Sequence, residues 1–277
     1  MPELPEVETV RIALSKIISS SKVKSVEVLR KDLRWEIPED LSEKLKDDIL
    51  ETPLRRGKYI LIPTYKGNIL LIHLGMSGQI KIQNTIPDLL KHDHVRIIIE
   101  KGNNKYYSIT YNDPRRFGYI DLFKKKEINQ HFLLKNLGVE PLDQFLTVEY
   151  LQQIFKKKII NIKNALLDQK IIAGIGNIYA SEILYKAKIR PDKIVNKLKS
   201  KDLSLLIMAT KDILEKSIKK GGTTIKNHKQ PNGKLGYFVQ DLLVYGKKNT
   251  RCSNCNNIIE FKVMNNRSTY FCNKCQK

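Results

Sequence analysis

The sequence predicts a multidomain α+β protein with an N-terminal helix leading into a two-layer β-sandwich, a helical second domain, and a C-terminal hairpin carrying four cysteines. Three observations carry this. Apolar residues recur in strand-length runs from about residue 22 to 124 and at helical spacing from about 147 to 219, and all four cysteines lie in the last 26 residues. A chain of 277 residues holds about two domains of ordinary size, each able to bury a core. The changes of period divide the chain into 1–130, 131–245 and 246–277.

Residues 5–18 predict the first helix. Val7, Val10, Leu14 and Ile17 recur at intervals of three and four, with Ile18 beside the last, which is the apolar stripe of an amphipathic helix. Pro5 suits the first helical position, and Glu6 and Glu8 lie where the positive end of the helix dipole favours anions. The strand-length runs that follow are 23–29, 59–62, 69–73, 79–82, 95–99, 106–111 and 118–123. Lys66-Gly67-Asn68 and Lys101-Gly102-Asn103-Asn104 tolerate positive φ and read as hairpin turns. Such strands pair into sheets that bury one face, so two packed sheets are expected.

After Lys124-Lys125-Lys126 helical spacing covers 147–157, 162–168, 178–187 and 202–219. Thr147 and Glu149 open the first of these, and Asp202 stands before the last as a capping residue. Gly221 to Gly236 is then a long loop rich in Gly, Lys, Asn and Pro, a length that is usually functional or disordered.

The net charge is +21 and is unevenly placed: residues 1–150 carry 24 basic and 21 acidic groups, whereas 151–277 carry 26 and 8. A half so basic attracts nucleic acid, an anionic membrane surface or an acidic protein, although Lys outnumbers Arg 39 to 11, which leaves room for compositional bias. No apolar run approaches the roughly 20 residues of a membrane span. The first residues, Met-Pro-Glu-Leu-Pro-Glu, are acidic where a secretory signal is basic and then apolar. A cytoplasmic protein with nucleic acid as its partner is the expectation.

The cysteines read Cys252-x2-Cys255-x16-Cys272-x2-Cys275. Two knuckles flanking a hairpin-sized stretch suit one tetrahedral zinc ion, and a reducing compartment argues against two disulfides. Four protein ligands close the site, so the metal would be structural. Between the knuckles, 258–263 and 268–271 read as strands, with Asn265-Asn266-Arg267 at the turn. There Arg267 is either a probe for a phosphate or a solvated side chain.

Gly174-Ile175-Gly176-Asn177 precedes a helical stretch that Asn177 can cap, leaving either an anion site at free N–H groups or a tight inter-helix turn. Asp113-Pro114-Arg115-Arg116-Phe117-Gly118 sets basic and aromatic side chains on one turn, which suits insertion into a base stack. His73-Leu74-Gly75-Met76-Ser77-Gly78 is a second strand-to-loop transition. Removal of Met1 before Pro2 would expose a secondary α-amine that titrates near 8, so part of it is neutral and nucleophilic at physiological pH. Glu3 and Glu6 stand beside it as possible proton carriers.

These pieces, with Arg56-Gly57-Lys58-Tyr59 and the extended Gly174-Ile175-Gly176-Asn177-Ile178-Tyr179-Ala180-Ser181-Glu182, run in order from residue 2 to residue 276. Together they resemble the bacterial formamidopyrimidine-DNA glycosylases. The resemblance covers essentially the whole chain. One departure is visible: Lys247-Lys248-Asn249-Thr250-Arg251 replaces the family's Gly- and Pro-containing lead into the first knuckle.

The resemblance implies a helix–two-turn–helix domain and a bifunctional base-excision enzyme. It would remove 8-oxoguanine and formamidopyrimidines from damaged double-stranded DNA and then cleave the abasic strand. By that resemblance Pro2 is the nucleophile, Glu3 the principal acid and Glu6 a supporting carboxylate, while Lys58 assists β-elimination and Arg267 assists δ-elimination. Met76, Arg115 and Phe117 match the side chains that fill the space left by the flipped nucleotide. His73, His92, Lys158, Lys163, Asn177 and Arg267 match DNA contacts. The 221–237 loop would cover the flipped base, and Cys252, Cys255, Cys272 and Cys275 would hold one structural Zn(2+). A single chain, associated with the nucleoid and not with membrane, is implied.

Overall fold

A computed structural model describes residues 2–102, 104–223 and 236–277. Its elements in order are α1 (Leu4–Ile18), β1 (Ser21–Val28), α2 (Leu41–Leu45), β2 (Ile49–Leu50), β3 (Leu54–Arg56), β4 (Tyr59–Pro63), β5 (Asn68–His73), β6 (Gln79–Gln83), β7 (Asp93–Lys101), β8 (Lys105–Asn112) and β9 (Tyr119–Lys124). There follow α3 (Val148–Phe155), α4 (Ile162–Leu167), α5 (Asn177–Lys186), α6 (Ser200–Lys219), β10 (Glu260–Met264) and β11 (Arg267–Phe271). By internal contacts the chain forms two compact units, one of residues 1–135 and 220–237, the other of 136–219 and 238–277. No helix among the described residues is long and apolar enough to cross a membrane.

In the first unit the strands form a five-stranded sheet in the order β2-β1-β7-β8-β6 and a four-stranded sheet in the order β3-β4-β5-β9. Every pairing is antiparallel. Alternation decides which residues join the shared core: Ile60 and Ile62 of β4 and Leu70 and Ile72 of β5 pack with Val95, Ile97 and Ile99 of β7, while Leu61, Ile69 and Leu71 on the other face are buried as well. Helix α1 adds Val7, Val10, Leu14 and Ile18 to the same core and touches strands of both sheets. The chain start is thereby built into the sandwich. Three elements between residues 41 and 56 carry no clear sequence signal, because α2 has one apolar pair, Leu41 and Leu45, and β2 and β3 are two and three residues long.

The second unit packs α4 and α6 against α5, and α3 against α6. Every residue of α5 from Ile178 to Tyr185 is buried, and Tyr179, Ile183 and Leu184 share a core with Leu151, Phe155, Leu166, Leu206 and Ile213. Thr147 caps α3 by accepting from the Tyr150 N–H at 3.1 Å. Two capping assignments need correction. Gly176 is the cap of α5, and Asn177 is its first residue, with the amide turned to another partner. Asp202 lies inside the first turn of α6, where it accepts from the Lys199 N–H at 3.0 Å. β10 and β11 pair from Glu260 with Phe271 to Met264 with Arg267, and Asn265 and Asn266 turn the hairpin at φ 48° and 56°. Arg267 therefore opens a strand rather than sitting in the turn.

Candidate functional site

Pro2 is buried just ahead of α1, and Glu3 and Glu6 are each 2% exposed. Glu6 Oε2 accepts from the Glu3 N–H at 2.8 Å and Oε1 from the Thr223 N–H at 2.7 Å. One carboxylate thus fixes both the chain start and residue 223. Gly222 has φ +80°, and a Cβ there would come within 2.9 Å of Glu6 Oε1, so no larger residue fits without displacing this anchor. Thr223 bridges Tyr237 at the two ends of the predicted loop, whose residues 224–235 lie outside the described ones.

Lys58 stands half-buried in the tight turn joining β3 to β4. That turn is tied to α1 through Arg55, which donates to the Gly57 carbonyl at 3.1 Å and to Glu8 Oε2 at 2.9 Å. Cross-strand from Tyr59, His73 has its ring 4.9 Å away. Burial, then the positive charges of Lys58 and Arg34, push the His73 imidazole down to about 4. Its ring is neutral at pH 7, and because Nδ1 accepts from the Gly75 N–H at 3.3 Å, the proton sits on Nε2. His73 can offer one uncharged N–H to an anion.

The two loops that carry Met76 and the pair Arg115 and Phe117 are locked together. Met76 and Phe117 are 41% and 43% exposed, and the Arg115 guanidinium carbon stands 4.7 Å over the Phe117 ring. Beneath them Asp113 is fully buried. Its carboxylate accepts from the Ser77 hydroxyl, from the Gly118 N–H at 2.8 Å, from the Tyr111 hydroxyl at 3.2 Å and from the Arg115 N–H at 3.3 Å. Its carbonyl meets His94 Nε2 at 2.7 Å, and its N–H donates to the His92 carbonyl at 3.0 Å. Gly75 lies so near that a Cβ would fall 2.4 Å from the Phe117 backbone. Sequence reading singled out the projecting side chains and passed over Asp113, although an Asp before Pro at the start of a turn is itself a signal of backbone capture.

In the second unit Lys163 is wholly buried, and its ammonium donates to the Ser268 carbonyl at 2.7 Å and Thr269 Oγ1 at 2.6 Å. Burial and the nearby Arg267 charge lower the Lys163 ammonium to about 8. The Asn177 amide donates to the same Ser268 carbonyl at 2.9 Å. Lys163 and Asn177 therefore hold the strand that begins with exposed Arg267, each keeping an N–H beyond those bonds. Lys158 lies half-buried just past α3, and His92, at φ +75°, precedes β7.

The four cysteine sulfurs lie within 4.8 Å of one another, with Cys252 and Cys275 3.8 Å apart and Cys255 and Cys272 3.4 Å apart. A tetrahedron with bonds of about 2.3 Å has edges of about 3.8 Å, whereas a disulfide is about 2.05 Å. The sulfurs fit one zinc ion, and the set has no position left for water.

Comparison with known proteins agrees with this arrangement. Residues 1–120 match the model of the formamidopyrimidine-DNA glycosylase N-terminal domain, and residues 137–229 match that of the formamidopyrimidine-DNA glycosylase H2TH domain. The chain is 45% identical over 276 residues to the formamidopyrimidine-DNA glycosylase of Vesicomyosocius okutanii, covering all of both chains. It is 42% identical over 277 residues to that of Zymomonas mobilis, again covering all of both. Wild-type Lactococcus lactis Fpg, solved with DNA containing N7-benzyl-Fapy-dG, superposes with a TM-score of 0.90 at 34% identity over the full length of both chains. Full-length identity at this level, with the same fold, means that the chain belongs to the formamidopyrimidine-DNA glycosylase family.

Proposed function

We propose that the chain is a bifunctional DNA glycosylase and abasic-site lyase of base-excision repair, acting on 8-oxoguanine and formamidopyrimidines in duplex DNA. With Met1 removed, the Pro2 amine attacks C1′ of the damaged nucleotide, the base departs, and the resulting iminium withdraws electrons from C2′. Loss of the C2′ proton expels the 3′ phosphate, and a second elimination expels the 5′ phosphate. Glu3 protonates the opening sugar ring, and Glu6 holds Glu3 and residue 223 in register. Lys58 assists the first elimination and Arg267 the second.

Met76, Arg115 and Phe117 fill the vacated stack, with Arg115 facing the orphaned base. His73, His92, Lys158, Lys163 and Asn177 meet the backbone of the same duplex. On this reading residues 1–130 do the chemistry, 131–245 bind DNA with 221–237 over the flipped base, and 246–277 form the zinc finger. Cys252, Cys255, Cys272 and Cys275 would hold one zinc ion, whose contribution is to fold the hairpin that presents Arg267. The protein works as a single chain.

The observation that carries the reading is the pair of buried carboxylates beside Pro2, one of them anchoring both the chain start and residue 223. A buried carboxyl group next to a secondary α-amine is the equipment of covalent base excision. The test is an end-labelled duplex with one 8-oxoguanine opposite cytosine, run on a denaturing gel. A one-nucleotide gap with phosphate at both ends is expected. Tight binding with an intact strand would make this a DNA-binding protein without the chemistry.

A further inference from the structure

Helix α5 meets the cysteine hairpin region at three places along its length. At its start the Asn177 amide donates to the Ser268 carbonyl. In its middle the Glu182 carboxylate accepts from the N–H groups of Leu243, Val244 and Tyr245 at 2.8, 2.9 and 2.7 Å, holding the segment that leads to the first knuckle. Near its end the Tyr185 hydroxyl lies 3.1 Å from Cys252 Sγ, with Tyr185 7% and Cys252 2% exposed.

The third contact differs from the other two in chemistry. A metal-bound cysteine is a thiolate with lone pairs and no proton, so the phenol must be the donor. The Tyr185 ring already packs in a small cluster with Val244, Cys252, Ile259 and Cys272, and a phenylalanine would fill that space as well. A hydroxyl buried there is costly unless it is hydrogen-bonded, and the Cys252 sulfur supplies the acceptor.

We propose that Tyr185 is a positioning residue of the zinc site, its hydroxyl donating to the Cys252 thiolate and thereby holding the ion in the hairpin. This rests on the reading that the four cysteines bind zinc. A hydrogen bond to a ligating sulfur orients its lone pairs and shields its charge, and loss of such an outer partner typically weakens metal binding about 10- to 100-fold. Zinc retention is thus linked to α5, the helix whose other end steadies the strand that starts at Arg267.

The test compares the full chain with Tyr185→Phe, which removes one oxygen and keeps the ring. Both are expected to purify folded with one zinc per chain. On challenge with excess EDTA, zinc release read by metal analysis should be at least about tenfold faster from Tyr185→Phe. In the cobalt-substituted proteins the sulfur-to-cobalt charge-transfer band should move to lower energy in the variant, because a thiolate without its donor gives up an electron more readily. Equal release rates and coincident bands would overturn the assignment of Tyr185. Absence of zinc from the unmodified chain would instead overturn the metal reading on which it rests.

Discussion

His73 shows how a site residue is tuned by its surroundings. A free histidine is half-charged near pH 6.5, but burial beside Lys58 and Arg34 lowers this one to about 4. The unfolded chain therefore takes up a proton in a range where the folded chain does not. This residue's share of stability is complete above about pH 6.5 and is lost as the pH falls toward 4. His73→Gln should flatten the urea midpoint across that window while leaving it nearly unchanged at pH 8. An unaltered pH dependence in the variant would mean that His73 carries no such shift. The same neutrality means that, on the proposed reading, His73 would meet DNA only as an uncharged hydrogen-bond donor.

At the scale of elements, the two projecting loops of the first unit behave as one object because a single buried carboxylate holds both. Asp113→Asn keeps the shape but faces an amide group toward donors such as the Ser77 and Tyr111 hydroxyls and the Gly118 N–H. It should cost about 1–3 kcal/mol in chemical unfolding. On the proposed reading it should also slow 8-oxoguanine excision, since the two loops it holds carry the side chains proposed to fill the vacated stack. Unchanged excision and stability would refute that role.

The strands and helices themselves are largely legible in the sequence: β4 and β5, buried on both faces, read as short continuous apolar runs, whereas β7 and the helices α1, α3 and α6 bury one face and so carry a period. Elements too short to show a period, α2, β2 and β3, are not. Nor could sequence tell that Asn177 turns from its helix to Ser268, or that Lys163 is fully buried, because both follow from where a hairpin about a hundred residues away arrives. The side chains proposed for the site can be named from the sequence. The carboxylates beneath it, Asp113 and the doubly bonded Glu6, took their meaning only from the fold.

Across the whole molecule, charge and the proposed chemistry are divided. The half after residue 150 has 26 basic groups against 8 acidic ones, whereas the first half, nearly balanced, holds Pro2, Glu3, Met76, Arg115 and Phe117. Basic groups that meet phosphates release counterions. Arg267→Ala should therefore weaken binding to duplexes of any sequence alike and reduce the slope of log K against log salt by about 1, measured by fluorescence anisotropy. A slope equal to that of the unmodified chain would remove Arg267 from the phosphate contacts. On the proposed reading the reaction rests on a group that a charge count passes over, the α-amine of Pro2. Borohydride reduction during turnover of an 8-oxoguanine·cytosine duplex tests this most directly. Protein with a free Pro2 should be trapped as a covalent adduct with the DNA, and protein with Met1 retained or its N-terminus acetylated should give none. An equally strong adduct from the blocked protein would contradict the account.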